Sequence, residues 1–283
     1  MKARVITALV GLGVLAVVLC FYQTLVFNIA VGVVAALAAQ EAAGAVGLAK
    51  HKVLVVESML FALLVPVATQ FWGMVAVGAM ALLYIILVFV EVIRNHAELD
   101  IANVGLLVMI VVGVTLSLNC VVLIRNATPI MWAGLYYSFL IFASAWLCDI
   151  GGYFVGSAFG KHRLAPVISP KKSVEGLYGG LATAVVGNLL IALLFATLYN
   201  RGIVYGHLSY VWNINYLYVA LVTPVLALLG VLGDLSASIV KRRFGIKDFG
   251  AIFPGHGGIL DRFDSLLFIA PMVYLMLRYL PVL

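Results

Sequence analysis

The sequence predicts an all-α, polytopic integral membrane protein with about nine transmembrane helices and a cytoplasmic N-terminus. Three observations carry that prediction. The 283 residues are 65% hydrophobic and 10% charged, against roughly 45–50% and 25% in a soluble domain. Several apolar runs reach the roughly 18–20 residues needed to cross hydrocarbon. These runs are uniform and not alternating, so they read as helices and not as barrel strands.

The elements follow in order. A span at 5–22 comes after the basic start MKAR; its length, with no small-x-small cleavage site behind it, makes it a first transmembrane helix and not a signal peptide. The span at 25–47 carries Gln40 and Glu41 among alanines, a polar pair that must face protein or water; a structural bridge and a role in a site are both open for Glu41. Spans at 53–71 and 74–93 are separated only by a tight break between Phe71 and Met74. Glu91 stands three residues before Arg94 and reads as one half of a helix-end ion pair. Further spans are expected at 102–124, 132–156, 176–199, 216–240 and 263–281. With these nine, one side of the membrane receives fourteen of the seventeen Lys and Arg residues, and the other receives Arg125, Arg201 and Arg278. Positive charge favours the cytoplasm, which sets the orientation. The longest loop on the far side, Asn200–Asn215, carries Tyr205, Tyr210 and Trp212 and reads as an interfacial aromatic belt.

The expected organisation is a scaffold over residues 1–125 (spans one to five). A part over 126–283 (spans six to nine) holds two polar cytoplasmic loops, 157–175 and 241–262. The net charge of +6 has no soluble basic domain to carry it, so nucleic acid is not an expected partner; the bilayer is. Cys20, Cys120 and Cys148 lie in or beside apolar runs and read as small hydrophobes. No internal repeat supports an inverted-repeat transporter of an anionic solute.

Charge concentrates in Gly233–Ser265. Four of the eleven acidic residues lie there, with five of the seventeen Lys and Arg. Asp234, Ser238, Lys241 and Arg242 share one face at helical spacing. Lys247 and Asp248 follow, then a turn of Pro254, Gly255, His256, Gly257 and Gly258, whose glycines let backbone amides approach an anion. Asp261, Arg262 and Asp264 end the stretch. Carboxylates inside a span are costly and usually functional. Asp234 and Asp261 approach from two helices, a donor pair suited to magnesium, which takes oxygen ligands and shares them with phosphates. The other loop opens at Asp149 and offers Ser169, Lys171, Lys172, Ser173 and Glu175; Ser173 also reads as the N-cap of the seventh span, where an anion is favoured. Plain positive-inside anchoring is the competing reading of Lys171 and Lys172. His256 could be a base, a phosphate donor or a positioning group.

The series Ser238, Lys241-Arg242, Lys247-Asp248, Pro254-Gly255-His256-Gly257-Gly258, Asp261-Arg262 and Asp264 resembles the signature of the phosphatidate cytidylyltransferase (CDP-diacylglycerol synthase) family. The run DIGGYFVGSAFGKHRLAPVISPKKSVEGLYGG, from Asp149, resembles that family's cytoplasmic loop. Spans one to five carry no motif of their own. The resemblance implies transfer of a cytidylyl group from CTP to phosphatidate, giving CDP-diacylglycerol and pyrophosphate, at the inner face of the cell membrane. It implies Mg2+ on Asp234 and Asp261, with Asp264 in support and a second cation or a homodimer left open. Lys171, Lys172, Lys241, Arg242, Lys247 and Arg262 would hold the triphosphate and the lipid phosphate. Asp248 and His256 would complete the catalytic set. Asp149, Ser169, Ser173, Glu175, Ser238, Gly255, Gly257 and Gly258 would shape the substrate site. The same chemistry on an isoprenoid ether lipid is the nearest alternative. A CDP-alcohol phosphotransferase would need closely spaced acids after a Gly-Ala-Arg context, absent here.

Overall fold

The computed structural model describes residues 11, 13–128, 130–203, 212–253 and 257–280. It is nearly all helical. Residues 13–20 are helical, and the named helices are α1 (Leu25–Ala45), α2 (Lys52–Arg94), α3 (Ile101–Ala127), α4 (Met131–Phe159), α5 (Val174–Asn200), α6 (Tyr216–Arg243), α7 (Leu260–Phe263) and α8 (Leu266–Tyr279). Two short strands, β1 (Arg163–Ala165) and β2 (Ser169–Ser173), lie between α4 and α5. Among the described residues six helices, α1 to α6, are long and apolar enough to cross a membrane, and α8 is a shorter apolar helix of 14 residues. The chain is a multi-pass membrane protein.

The two spans expected at 53–71 and 74–93 are the arms of α2. At 43 residues an unbroken helix would run about 65 Å at 1.5 Å per residue, twice the hydrocarbon thickness. Gly73 breaks it, with φ 55° and ψ −137°. Only glycine takes that conformation without strain, so two arms of membrane-crossing length meet at one residue. The apolar side chains left exposed along α2, such as Trp72, Val75 and Phe89, suit a lipid environment.

The chain divides into two compact units. The first comprises residues 1–123 and 239–264. In it α1 lies against the first arm of α2: Asn28 Nδ2 donates to the Pro66 carbonyl at 2.6 Å, and Gly32 packs directly on the Leu63 backbone. The stretch 239–264, grouped by the sequence with the later helices, packs in this first unit. Glu91 accepts from Nδ2 of Asn95, the C-cap residue, at 2.8 Å; among the described residues no Glu91–Arg94 ion pair forms.

The second unit comprises residues 124–238 and 265–283. Its frame is the α4–α5 pair, joined by a glycine seam. A Cβ at Gly180 would stand 2.5 Å from the Cys148 carbonyl oxygen, and one at Gly176 would stand 2.8 Å from the Gly152 oxygen. Small residues let helix backbones approach closely in lipid, where no hydrophobic effect drives them together. At the other end, Trp132 Nε1 donates to the Phe195 carbonyl, and Tyr136, Phe195 and Tyr199 pack around Trp212. Trp212 is 7% exposed and tied to Asn200 through both backbone polar groups. It is therefore a core residue and not part of an interfacial belt; Tyr205 and Tyr210 lie outside the described residues.

Candidate functional site

The polar loop after α4 is not featureless. β1 and β2 pair antiparallel, with Arg163 opposite Ser173 and Ala165 opposite Ser169. The sequence offers no strand signal there, since Ser-Pro-Lys-Lys-Ser has neither β-branched nor aromatic residues. Tertiary fastening supplies what propensity does not. Glu175, in the first turn of α5, accepts from the Lys161 amide at 3.0 Å, from the His162 amide at 3.2 Å, and pairs with His162 Nδ1 at 2.6 Å. Ser173 is the N-cap of α5, as its sequence position predicts; its Oγ accepts from the Gly176 amide at 3.1 Å. That amide is thus already satisfied by the cap.

This hairpin carries Lys171 and Lys172 to a cavity of about 260 Å³. Ser169, Lys171, Lys172 and Ser173 come from β2, Asp149 and Tyr153 from α4, and Asp234 from α6. Lys172 Nζ lies 2.8 Å from Asp234 Oδ2 and 4.0 Å from Asp149 Oδ1. One cation therefore stands between two carboxylates at a half-buried position, and attraction is stronger there than in open water. The glycine seam makes this possible, because Gly152 and Gly176 also line the cavity. Five predicted residues (Asp149, Ser169, Lys171, Lys172 and Ser173) and Asp234 thus come together. Glu175 is not among the lining residues; its carboxylate clasps the hairpin. Tyr153 and Cys148 line the cavity without having been singled out, since an aromatic and a cysteine in an apolar run carry no distinguishing signal.

The first unit holds the acidic–glycine stretch. α6 ends in a Schellman pair of bonds, Gly245 N–H to the Arg242 carbonyl and Ile246 N–H to the Lys241 carbonyl. The chain then turns back, and Phe253 N–H donates to the Gly257 carbonyl at 3.0 Å. Asp261 anchors this return. Its Oδ1 accepts from Lys241 Nζ at 2.7 Å, and its Oδ2 accepts from the amides of Phe249 at 2.8 Å and Gly258 at 3.0 Å. The Lys241 ammonium also sits 5.2 Å from the centre of the Phe249 ring. Gly257 has φ +83°, and a Cβ there would meet Asp261 Oδ2 at 3.0 Å and Asp248 Oδ1 at 3.3 Å, so Asp248 belongs to the same cluster. Arg242 donates to the Ile246 carbonyl at 3.4 Å, Asp264 is buried, and Lys247 is exposed. Ser238 is buried on α6; Arg262 is exposed, at the end of α7. Gly255 and His256 lie outside the described residues.

Glu41 is the residue whose role the sequence leaves open. Its Oε1 accepts from the Ile259 amide at 3.0 Å and its Oε2 from the Leu260 amide at 2.9 Å. An acid deep in an alanine-rich span was the available signal; its partner, more than 200 positions away, was not readable.

A hard divalent cation suits the donors present. They are carboxylates, which suit such an ion; the cavity lining also includes the Cys148 thiol. A carboxylate offers about four acceptor positions; three donors occupy Asp261, so one position remains. Among the described residues no group of three or more His, Cys, Asp or Glu side chains is placed to hold a metal ion.

The fold and these clusters define a multi-pass membrane protein whose polar groups are gathered on two loops rich in acids, lysines and glycines. The chain belongs to the cytidylyltransferase family, which residues 2–280 match. It is 38% identical over 193 residues to a phosphatidate cytidylyltransferase of Bacillus subtilis (strain 168), covering 68% of this chain and 64% of that one. It is 44% identical over 144 residues to the phosphatidate cytidylyltransferase of Staphylococcus haemolyticus (strain JCSC1435), covering 51% of this chain and 50% of that one. The chain spans less than two thirds of the length of these relatives.

Proposed function

We propose that the protein transfers a cytidylyl group from CTP to phosphatidate, giving CDP-diacylglycerol and pyrophosphate. The observation that carries this reading is the cavity at Lys171 and Lys172, with its two carboxylates, in a chain whose relatives are named for that activity. The reaction joins two polyanions. The attacking phosphate monoester is already anionic at neutral pH, so the demand is to neutralise and align charge and not to remove a proton. Lys171 and Lys172 serve that need in one unit, and Lys241, Arg242, Lys247 and Arg262 in the other. Asp149 and Asp234 hold Lys172 in place between substrates. The bond that forms joins the lipid phosphate oxygen to the α-phosphorus of CTP; the bond that breaks releases pyrophosphate.

A magnesium requirement belongs to the same proposal, with carboxylates as donors: Asp234 in the second unit, and Asp261, with Asp264 in support, in the first. The ion would offset charge on the phosphates. We also place the N-terminus and both polar loops in the cytoplasm, where CTP is found, with nine spans in all. The count follows if α2 crosses twice about Gly73, if residues 5–22 cross, and if the last span is 263–281.

The test uses the purified full chain with labelled CTP, phosphatidic acid and Mg2+. CDP-diacylglycerol should form, and a chelator should abolish it. Lys172→Met should lower kcat/KM by about a hundredfold, as expected for a charge-assisted contact to a reacting phosphate. No lipid-linked CMP from any phosphatidic acid, with a folded protein, would refute the reading; product from an ether-linked isoprenoid acceptor alone would reassign the lipid.

A further inference from the structure

We infer that Glu41 is a positioning residue for the acidic–glycine turn, holding the Gly258–Leu260 backbone so that Asp261 has one orientation. This inference rests on the transferase reading for its kinetic consequence, though not for its structural one. Three consecutive amides are taken by two carboxylates. Gly258 donates to Asp261, and Ile259 and Leu260 donate to the two oxygens of Glu41. The turn is therefore gripped on both sides of the peptide that leads into Asp261. Glu41 is 7% exposed, and its helix neighbours Ala38, Ala39, Ala42 and Ala43 are at most 2% exposed. Its carboxylate lies so close to Gly250 and Gly258 that a side chain at either would strike it. The two glycines and the acid thus form one fitted group, although the acid comes from the second predicted span and the glycines from the last loop.

The chemistry calls for this residue type. Two adjacent N–H donors need two acceptor oxygens at a fixed spacing. A glutamine would turn its NH2 toward one of them, donor against donor. An aspartate is one methylene short and cannot place both oxygens from the same helix position. Glu41 is buried and turns both oxygens to the backbone of the turn, so it acts through Asp261 and not on the substrate. Its removal should loosen the turn and lower turnover while leaving substrate affinity nearly intact.

The experiment compares the full-length protein with Glu41→Gln and Glu41→Asp by hydrogen–deuterium exchange and by cytidylyl transfer. We expect exchange in a peptide covering 257–263 to rise at least tenfold in Glu41→Gln. A peptide from the α4–α5 seam should be unchanged, kcat should fall at least tenfold, and KM for CTP should stay within threefold. Unchanged exchange at 257–263 would overturn the inference. So would acceleration along the whole chain, unchanged kcat, or wild-type kcat in Glu41→Asp, which would mean that charge alone matters. If the wild type transfers no cytidylyl group, the function proposal fails by itself and the exchange data still decide the role of Glu41.

Discussion

Asp261→Asn tests the first unit's polar cluster most directly. The side chains of Lys241 and Asp261 are 10% and 4% exposed, with Nζ and Oδ1 2.7 Å apart. The other carboxylate oxygen serves the two amides of Phe249 and Gly258. Asparagine has one acceptor oxygen. It can serve the ammonium or the two amides, and its NH2 then points at whichever it abandons. Removing one partner of a buried pair costs about 3–5 kcal/mol, because the other charge stays behind. Lys241→Met leaves the carboxylate with its two amides and should cost less, about 1.5–3 kcal/mol, the range of a hydrogen bond to a charged group. In the double variant the asparagine oxygen can face the amides while its NH2 meets a neutral thioether. The two losses should therefore not add, and a coupling of about 2 kcal/mol should remain. Thermal unfolding in detergent reads this, at roughly 2–4 °C per kcal/mol for a chain of this size; Asp261→Asn should melt about 10 °C low and the double variant above the sum of the singles. Additivity within about 0.5 kcal/mol, the behaviour of independent sites, would refute the claim that Lys241 and Asp261 form one buried unit.

Two further predictions concern the second unit and the orientation. Gly180→Leu should force α4 and α5 apart, since even a Cβ there stands 2.5 Å from the Cys148 carbonyl oxygen; overpacking of this kind costs about 1–3 kcal/mol or more, and the loss should appear as lower melting together with a loss of the Lys172-dependent activity. Val167→Cys, at a position 88% exposed between the two strands, should react with an impermeant maleimide in inside-out vesicles and not in intact cells; the reverse pattern would overturn the proposed topology.

Much of the architecture was readable because a bilayer imposes long apolar runs. The expected 176–199 and 216–240 fall inside α5 and α6, and the Ser173 cap was visible from a serine followed by Val174, Glu175 and Gly176. What escaped is long-range. The break between 53–71 and 74–93 is local and did not escape: it falls at Gly73, inside the expected gap. The β-hairpin escaped because its strands are held by Glu175 across a loop and not by their own propensities. Trp212 looked like a belt residue because an aromatic near a span end has that meaning by default; only the Tyr136–Phe195–Tyr199 cluster reveals it as core. Glu41 was legible as an anomaly and not as a function, since its amides lie at the opposite end of the chain.

The glycine seam between α4 and α5 bears on the order of assembly. The two helices are neighbours in sequence, joined only by the short hairpin, so their contact closes a small loop, and small loops cost little chain entropy. This pairing is available as soon as both helices are in the bilayer, before α6 has been made. The wall carrying Asp149 and the strand carrying Lys172 are then already together, and Asp234 docks last onto a cation that is waiting for it. In a chain stopped after α5, Asp234, the nearer of the two carboxylates to Lys172, has not yet been made. Synthesis thus adds the stronger counter-ion only when the helix that completes the cavity arrives.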